Sequence, residues 1–439
     1  MKRAVRIGGH LLTLLAVAGM PVLLNFGPAV IAPSAFVTLS AQAKATAPTV
    51  EVDPLWPKPF PQKKAWILGS VTGVAVDGQD RIWVVHRGVD SLQTNEKGPA
   101  LEPWASSCCF AAPQILAFDV AGNLVSSWEP KTGTGYDWPH DPAGIAVDDK
   151  GNVWIGSGLP TSSLPAARGR GPAPAAGAAP GRGAAPAAPV PPADAQVLKF
   201  DKTGKFVLQI GKAGKPEGSD STTGLNKPGG VAVDSAANEV YVADGFANHR
   251  IAVFDATTGA FKRSWGAYGE KPTDIDQGPY DPNAAPSRQF RTVSCVKIAK
   301  DGLVYVCDRQ NDRIQVFQKD GKFVKEGFIS KTTTGDGSVW DIAFSNDPQQ
   351  KFIYLADGKD EKVWILDRQT LEILTSFGDG GKMPGQFYAV HSIATDSKGN
   401  IYTTETYDGR RLQRFMYKGM QKVTKGEDQG TVWPTKSTK

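Results

Sequence analysis

The sequence predicts an all-β protein, a propeller of six blades that each contain four antiparallel strands. A pattern of strand, turn and strand recurs six times along the chain, and short β-rich runs joined by Asp/Gly turns follow the copies. The composition agrees, because the 439 residues include 48 glycines and 32 prolines and are still 41% hydrophobic. Such a chain is too apolar for a disordered protein and too rich in turn residues for a helical bundle.

Each repeat consists of a small apolar strand that ends near Asp, a turn, and a second strand with one aromatic residue. The six copies read GVAVDGQDRIWVV, GIAVDDKGNVWIG, GVAVDSAANEVYVAD, CVKIAKDGLVYVCD, DIAFSNDPQQKFIYLAD and SIATDSKGNIYTTE. Their apolar and polar residues alternate with a period of two, which is strand geometry. The aromatic residue stands at the same place in every copy, at Trp83, Trp154, Tyr241, Tyr305, Tyr354 and Tyr402. We expect this aromatic column to pack between blades, because large rings bury much area and suit pleated surfaces.

Further strand signals follow the copies and complete the blades. The runs HRIAVFDATTGAFKRSWG and RIQVFQKDGKFVKEG each place an Asp/Gly turn between two β-rich segments, as a hairpin requires. Four strands in each of six repeats make a six-bladed propeller, which we assign to residues 64–423. The pattern GVAVD, VYVAD, RIAVF in the third copy resembles the NHL repeat. This resemblance covers roughly residues 65–420 and implies a propeller of the NHL type.

The last copy lacks a clear fourth strand, so another segment has to complete the sixth blade. Residues 64–69 read as a strand and precede the first copy, and we expect them to close the ring. Residues 420–423 are the rival candidate. Residues 44–63 would then form an extended segment before the propeller, and residues 424–439 a flexible tail.

Residues 1–43 have the pattern of a secretory signal peptide. Three positive residues stand among the first six, an apolar stretch follows, and the tripeptide AQA at residues 41–43 offers a cleavage site. A retained membrane anchor is the alternative, although three prolines interrupt the apolar stretch. We expect an exported protein, periplasmic or secreted, that is monomeric and has no membrane span after cleavage. Without this segment the formal net charge falls from +5 to +2, so nothing indicates a nucleic-acid partner.

The cysteines lack the spacing of a zinc cluster. Cys295 and Cys307 flank a turn at Asp301, and a hairpin centred there places them opposite each other. A disulfide between them is compatible with export, and two buried thiols are the alternative. The neighbours Cys108 and Cys109 would be strained as a mutual pair.

A long insertion interrupts the second repeat. Residues 160–195 consist largely of Ala, Pro and Gly with a few Arg. Such a composition cannot bury enough apolar surface to offset the entropy lost on ordering. We therefore predict a disordered loop in the second blade.

Ligands of propellers bind where the innermost strands converge, at one end of the central channel. The residue before the first strand of each repeat is expected to line that end, which gives Thr72, Ala143, Gly229, Ser294, Trp340 and His391. The second strands end at His86, Ser157, Asp244, Asp308, Asp357 and Glu405. Four carboxylates at one end are costly unless they are paired. We therefore expect Asp244 and Asp308 to pair with arginines as structural groups.

A second resemblance is more specific. The runs GSVTGVAVDGQDRIWVVHRG, DGFANHRIAVF and CDRQNDRIQVF are similar to peptidyl-α-hydroxyglycine α-amidating lyases. Those enzymes are six-bladed propellers with a central zinc held by three histidines and with structural calcium. They cleave a peptidyl-α-hydroxyglycine into a peptide amide and glyoxylate. The resemblance implies zinc or calcium as cofactors, and an arginine and a tyrosine that bind substrate and exchange protons.

Residue by residue, the match to these lyases is partial. Arg87 matches the family arginine, and His391 matches the third zinc histidine. Ser294 and Phe246 stand where the second zinc histidine and the tyrosine belong, and His140 lies three residues before the first zinc position. A catalytic zinc needs about three protein ligands, and phenylalanine exchanges no proton.

Two functions follow from this comparison. The first is an exported NHL-type propeller that serves as a platform for an unknown small-molecule, peptide or protein ligand. Its ligand would bind at the channel mouth, lined by Thr72, Ser294, Trp340 and Phe246. The alternative is a divergent metal-dependent lyase, in which His86, His140 and His391 hold the metal while Arg87 and Tyr407 act in catalysis. A third class, sugar-lactone hydrolases, lacks its Glu, Asn and Asp calcium constellation in this sequence.

Overall fold

The computed structural model describes residues 44–61, 65–131, 135–158 and 192–434. The predicted signal peptide, most of the predicted insertion and the last residues of the predicted tail lie outside them. No helix in the described ranges has the length and apolar character needed to cross a membrane.

Strands dominate the described residues. They are β1 Lys44–Asp53, β2 Trp66–Ile67, β3 Val71–Val76, β4 Ile82–His86, β5 Phe110–Ala111, β6 Ile115–Phe118, β7 Leu124–Trp128, β8 Pro142–Val147, β9 Val153–Ser157, β10 Gln196–Phe200, β11 Phe206–Gly211, β12 Val231–Asp234, β13 Glu239–Asp244, β14 Arg250–Asp255, β15 Phe261–Trp265, β16 Val293–Ile298, β17 Val304–Asp308, β18 Arg313–Phe317, β19 Phe323–Phe328, β20 Asp341–Phe344, β21 Phe352–Asp357, β22 Lys362–Asp367, β23 Ile373–Phe377, β24 Val390–Thr395, β25 Ile401–Glu405, β26 Leu412–Thr424 and β27 Glu427–Asp428. Short 3-10 helices cover Gly88–Ser91, Thr94–Glu96, Gly98–Ala100, Ala267–Gly269 and Arg309–Asn311.

The strands form the six predicted blades. From the centre outward the blades are β3-β4-β6-β7, β8-β9-β10-β11, β12 to β15, β16 to β19, β20 to β23, and β24-β25-β26-β1. Neighbouring strands within each four-stranded blade are antiparallel, and β27 adds a parallel strand to the edge of the fifth blade. The all-β six-bladed propeller with four-stranded antiparallel blades is therefore confirmed.

The aromatic column packs between blades, as predicted. Trp83 of the first blade shares a buried cluster with Ile145 and Ile155 of the second. Tyr402 of the sixth blade packs with Val71 and Val74 of the first, so the series of contacts closes on itself. The apolar core of the molecule thus lies in the layers between adjacent blades.

The ring is closed by an N-terminal strand, but a different one from the segment we predicted. β1 pairs antiparallel with β26, from Lys44 opposite Thr424 to Asp53 opposite Arg414. Of residues 64–69, only Trp66–Ile67 form a strand, and this strand pairs in parallel with β5 outside the blades. Residues 420–423 lie in the third strand of the blade and pair with β1. Both candidates were wrong. The fourth strand is β1, because its ten residues pair along β26 from Thr424 to Arg414.

Cys295 and Cys307 stand directly opposite each other on β16 and β17. They form a disulfide with 4.9 Å between their Cα atoms. The hairpin register derived from the turn at Asp301 is thus correct. Cys108 and Cys109 are also disulfide-bonded, which the sequence analysis did not expect.

Candidate functional site

The starts of the innermost strands converge at one end of the channel. The six residues predicted to line this end, Thr72, Ala143, Gly229, Ser294, Trp340 and His391, stand at or just before the second residue of these strands and line a single cavity there together with Phe246. This cavity has a volume of about 30 Å³, which is room for one or two water molecules. A larger ligand therefore has to bind at the mouth above the cavity.

Two hydroxyl groups of this ring join adjacent blades. The Thr72 hydroxyl donates to the carbonyl of Pro142, with 2.6 Å between the oxygens. The Ser294 hydroxyl donates to the carbonyl of Trp340 at 2.8 Å. Both side chains are thereby used in holding the channel end together.

His86 is a structural residue. Its side chain is fully buried, and its Nδ1 accepts hydrogen bonds from the backbone N–H groups of Gly69 at 3.2 Å and Gly88 at 3.1 Å. Its Nε2 lies 3.0 Å from the carbonyl oxygen of Pro113. Both ring nitrogens are thus occupied by backbone groups. Burial lowers the pKa of His86 to about 4, so the ring is neutral at physiological pH.

His391 has a free ring nitrogen. Its Nδ1 is buried and has no hydrogen-bond partner among the described residues. The ring meets the edge of Trp340 with 5.6 Å between centroids. Burial, and then the charges of Arg309 and Arg87, lower the pKa of His391 to about 3. A neutral imidazole therefore stands between two arginines.

Those two arginines are almost completely buried at the mouth. Arg87 is 7% exposed and Arg309 is 4% exposed. The Nε atom of Arg87 lies 3.4 Å from Oδ1 of Asp141. Arg309 donates from Nε to the carbonyl of Asp336 at 2.7 Å, and its guanidinium lies 3.4 Å above the ring centre of Trp340. Burial lowers the pKa of both guanidiniums, but arginine stays charged in proteins.

Tyr407 connects the two arginines. Its hydroxyl interacts electrostatically with both Arg87 and Arg309. Its ring centre lies 6.5 Å from that of Trp340. The structure therefore brings the sequence-predicted residues Arg87, Tyr407, Trp340 and His391 together at the mouth.

His140 lies beside this group and is about one-third exposed. Its Nδ1 is 3.0 Å from Oδ2 of Asp141, the carboxylate that also faces Arg87. The backbone N–H groups of His140 and Asp141 both donate to the carboxylate of Asp194, at 2.9 and 2.8 Å. Burial raises the pKa of Asp194.

The residues at the channel end do not fit the three-histidine zinc site that the lyase resemblance implies. The described residues contain no group of three or more His, Cys, Asp and Glu side chains placed to hold a metal. Both ring nitrogens of His86 bond to backbone groups. Ser294 stands at the position of a zinc histidine, and its hydroxyl donates to the carbonyl of Trp340. We therefore derive no chemical step through a metal.

The carboxylates at the ends of the second strands are mostly paired with arginines. Asp244 and Arg250 form a fully buried ion pair with 2.8 Å between Oδ2 and Nε, and Asp308 and Arg313 form an equivalent pair at 2.8 Å. The pairing predicted for Asp244 and Asp308 is thus confirmed. In the sixth blade Glu405 likewise meets Arg411 at 2.6 Å.

Arg309 and Asp141 were not predicted as residues of the site. Arg309 directly follows the last residue of β17, and Arg87 directly follows the last residue of β4. Because the two arginines occupy the same position in their repeats, their side chains lie at the same mouth. That shared position was the signal that could have identified Arg309.

Comparisons with known proteins agree with the resemblances. The family model of the NHL repeat matches residues 225–254. The chain is 24% identical over 358 residues to peptidyl-glycine alpha-amidating monooxygenase B of Xenopus laevis, covering 77% of this chain and 33% of that protein. It is also 24% identical over 360 residues to the monooxygenase of Rattus norvegicus, covering 77% of this chain and 30% of that protein. The chain thus spans about a third of the length of the curated relatives it matches.

Among solved structures, a catalytically inactive virginiamycin B lyase of Staphylococcus aureus with quinupristin has a TM-score of 0.41 and 13% identity. That alignment covers 87% of this chain and 88% of that chain. The described chain is a six-bladed β-propeller that carries an NHL repeat and is similar to peptidylglycine α-amidating monooxygenases.

Proposed function

We propose that the protein binds a small ligand with a carboxylate or similar anionic oxygen group at the channel mouth, between Arg87 and Arg309. The observation that carries this proposal is the presence of two almost buried guanidiniums that both interact electrostatically with one phenol, that of Tyr407. Arg87 already faces the carboxylate of Asp141 and Arg309 that of Asp336, but each of the two guanidiniums carries five N–H donors. An anion that enters between them gains charge-assisted hydrogen bonds in a region of low dielectric constant.

The surroundings add specificity for a ligand with a flat or apolar part. Trp340 offers a large ring at the mouth, and His391 offers a neutral acceptor nitrogen. Because the channel below holds only about 30 Å³, the anionic group would sit at the mouth and the rest of the ligand would extend outward. Free acids and the carboxyl ends of peptides meet these requirements. The signal-peptide pattern of residues 1–43 supports export, and the monomeric state stays a prediction.

Lyase activity on peptidyl-α-hydroxyglycines is the second candidate. It is favoured by Tyr407, a phenol in contact with Arg309 that can donate or accept a proton. Phe246, at the tyrosine position of the lyases, cannot. In this candidate the arginines bind the substrate carboxylate and Tyr407 acts as general acid or base. The similarity to amidating monooxygenases supports the same reaction, which releases glyoxylate and a peptide amide.

Calorimetric titration of the full protein with hippurate, an acylated glycine with a free carboxylate, tests the binding proposal. We expect wild-type protein to bind and both Arg87→Ala and Arg309→Ala to bind about 10- to 100-fold more weakly, because each loses charge-assisted hydrogen bonds. Arg81→Ala is the matched control, since Arg81 pairs with Asp77 in a turn outside the mouth. Equal affinity of all four proteins would refute the proposal.

Glyoxylate release from benzoyl-α-hydroxyglycine separates the two candidates. A lyase releases glyoxylate, and Tyr407→Phe stops the release while hippurate affinity changes less than about fivefold, because the arginines remain. A protein that binds hippurate and releases no glyoxylate is a binding platform.

A further inference from the structure

A large cavity lies between the fifth and sixth blades, at the end of the propeller opposite the mouth. It is bordered by the turns between the first and second strands of these blades, which point away from the channel mouth. Its lining comprises Thr46, Pro48, Ser345, Asn346, Asp347, Lys351, Phe352, Tyr354, Ser397, Lys398, Gly399, Tyr417 and Met420. Its volume is about 560 Å³, within the range of about 300 to 1,000 Å³ of small-molecule sites. We call it the interblade pocket.

The aromatic column shows what is unusual about this pocket. In five blades the polar atom of the column residue has a hydrogen-bond partner. Four of these residues donate to a carboxylate: Trp83 to Asp77 at 2.8 Å, Trp154 to Asp148 at 3.3 Å, Tyr241 to Glu239 at 2.9 Å and Tyr402 to Asp396 at 3.0 Å. The fifth, Tyr305, accepts from Arg368 at 3.1 Å. In the fifth blade Tyr354 lines the pocket and is only 2% exposed. Its hydroxyl forms no hydrogen bond with any described residue. Because Tyr354 lines the pocket, its hydroxyl can donate to a water or to a ligand there.

The sequence explains why Tyr354 lacks a partner. Asp77, Asp148 and Asp396 occupy one position of the repeat and accept from the aromatic residue of their own blade. Ser345 holds that position in the fifth blade. Its hydroxyl donates to Asp347 and accepts from the backbone N–H of Phe352 at 3.0 Å. The acceptor found in three other blades is therefore missing where the cavity opens.

The walls and charges of the pocket define what would fit it. Phe352, Tyr417 and Met420 supply apolar and aromatic surface. Burial raises the pKa of Tyr354, so its hydroxyl stays protonated and available as a donor. Lys351 and Lys398 form no ion pair within the described residues, and the carboxylate of Asp347 accepts from Ser345 and from the backbone of Gln349 and Lys351. Two lysines against one aspartate leave the lining with a net charge of +1.

We propose that the interblade pocket is a second binding site, which takes a small aromatic acid. The ring of the ligand packs against Phe352, Tyr417 and Met420, and an acidic oxygen accepts a hydrogen bond from the hydroxyl of Tyr354. The lysines at the rim attract the negative charge. This site is separate from the mouth and does not depend on the function proposed there.

Fluorescence titration of the full protein with 8-anilinonaphthalene-1-sulfonate, an aromatic acid, tests the proposal. We expect saturable binding at one site. Tyr354→Phe should weaken it about five- to tenfold, because the ligand loses one hydrogen bond. Thr46→Trp should abolish it, because the indole of an exposed strand residue would fill the cavity. Uncharged N-phenyl-1-naphthylamine should bind at least tenfold more weakly than the sulfonate.

Tyr402→Phe is the matched control, because it removes the same hydroxyl from the same repeat position in the neighbouring blade. It should leave dye affinity unchanged and lower the melting temperature, since its hydroxyl is paired with Asp396. Tyr354→Phe should not lower the melting temperature. The proposal is overturned if saturable binding is absent, if Thr46→Trp binds like wild type, if Tyr402→Phe weakens binding as much as Tyr354→Phe, or if the uncharged dye binds as tightly as the sulfonate.

Discussion

Asp357 ends the second strand of its blade, as Asp244, Asp308 and Glu405 do in theirs, yet it forms no ion pair with an arginine of the described ranges. It accepts from the indole N–H of Trp364 at 2.9 Å and from the backbone of Lys359 and Asp360. Burial, and then the charge of Asp360, raise the pKa of Asp357 to about 8. A neutral tryptophan N–H thus stands where other blades have an arginine, and burial keeps the carboxyl group protonated below about pH 8.

This difference predicts how stability depends on pH. The unfolded chain releases the proton of Asp357 near pH 4, whereas the folded chain holds it up to about pH 8. The stability that this group contributes is therefore complete below pH 4 and is lost as pH rises to 8. The variant Asp357→Asn has no proton to release at this position and does not show this loss. Between pH 5 and 8 the unfolding free energy of wild type should therefore fall by about 1 kcal/mol per pH unit relative to that of the variant. Urea unfolding across this range measures it, and parallel curves for the two proteins would contradict the assignment.

The positions of the mouth residues were predictable, and their interactions were not. Thr72, Ser294, Trp340 and His391 share one offset in the repeat, and a repeat places equal offsets at equal places around a ring. The role of His86 depends on Gly69, Gly88 and Pro113, whose backbone groups reach it through irregular loops. Loop geometry carries no periodic signal, so the occupied nitrogens of His86 could not be read from the sequence.

At the scale of single elements, the hairpin of β16 and β17 shows which properties the strand pattern predicts and which it does not. The turn fixed the register, and the register placed Cys295 opposite Cys307. Whether the thiols were joined could not follow from the spacing, because free buried thiols satisfy the same pattern. The structure shows the bond, with both cysteines buried in the layer between the fourth and fifth blades.

This disulfide should contribute measurably to stability. Replacing both residues in Cys295→Ala/Cys307→Ala removes a cross-link that closes a short loop, and we expect a loss of about 2 to 3 kcal/mol in unfolding free energy. Urea unfolding with and without dithiothreitol measures it. The reductant should destabilise wild type by a similar amount and the double variant much less. Equal sensitivity of both proteins would assign the effect to Cys108 and Cys109 instead.

The closing strand could not be located from its own sequence. β1 begins directly after the predicted cleavage site, and its short alternation of Val50, Glu51 and Val52 is no stronger than the signal in residues 64–69. The choice depends on a partner at the far end of the chain, the 13-residue strand β26. Tertiary pairing of this kind overrides local patterning.

At the scale of the whole molecule, the sixth blade joins the two ends of the propeller, and β1 also contributes to the core. Ala47, Val50 and Val52 are buried in one cluster with Phe352, Tyr354 and Phe377 of the fifth blade. The strand therefore holds both the last blade and the layer between the fifth and sixth blades. Loosening it weakens the ring where the first and last strands meet.

Val52→Ala tests the importance of this closure. Val52 is about 1% exposed, and we expect truncation to cost about 2 kcal/mol through lost burial and the cavity that remains. Glu51→Ala, at the adjacent half-buried position of β1, should cost less than about 0.5 kcal/mol, because its ion pair with Lys418 is long, at 3.5 Å, and the lysine is exposed. Thermal unfolding of both variants should show one cooperative transition. A cost for Val52→Ala as small as that of Glu51→Ala would show that β1 contributes little to the ring.

The pairing of Lys44 with Thr424 also sets the order of events during folding. β1 is synthesised before every other described strand, yet its partner in the sixth blade, β26, is synthesised after β2 to β25. Until then both strands present open edges that can pair with other chains. Closure is the contact with the largest sequence separation in the ring, and such contacts form slowly. A chain that emerges from the ribosome therefore carries its closing strand unpaired until β26 has been made.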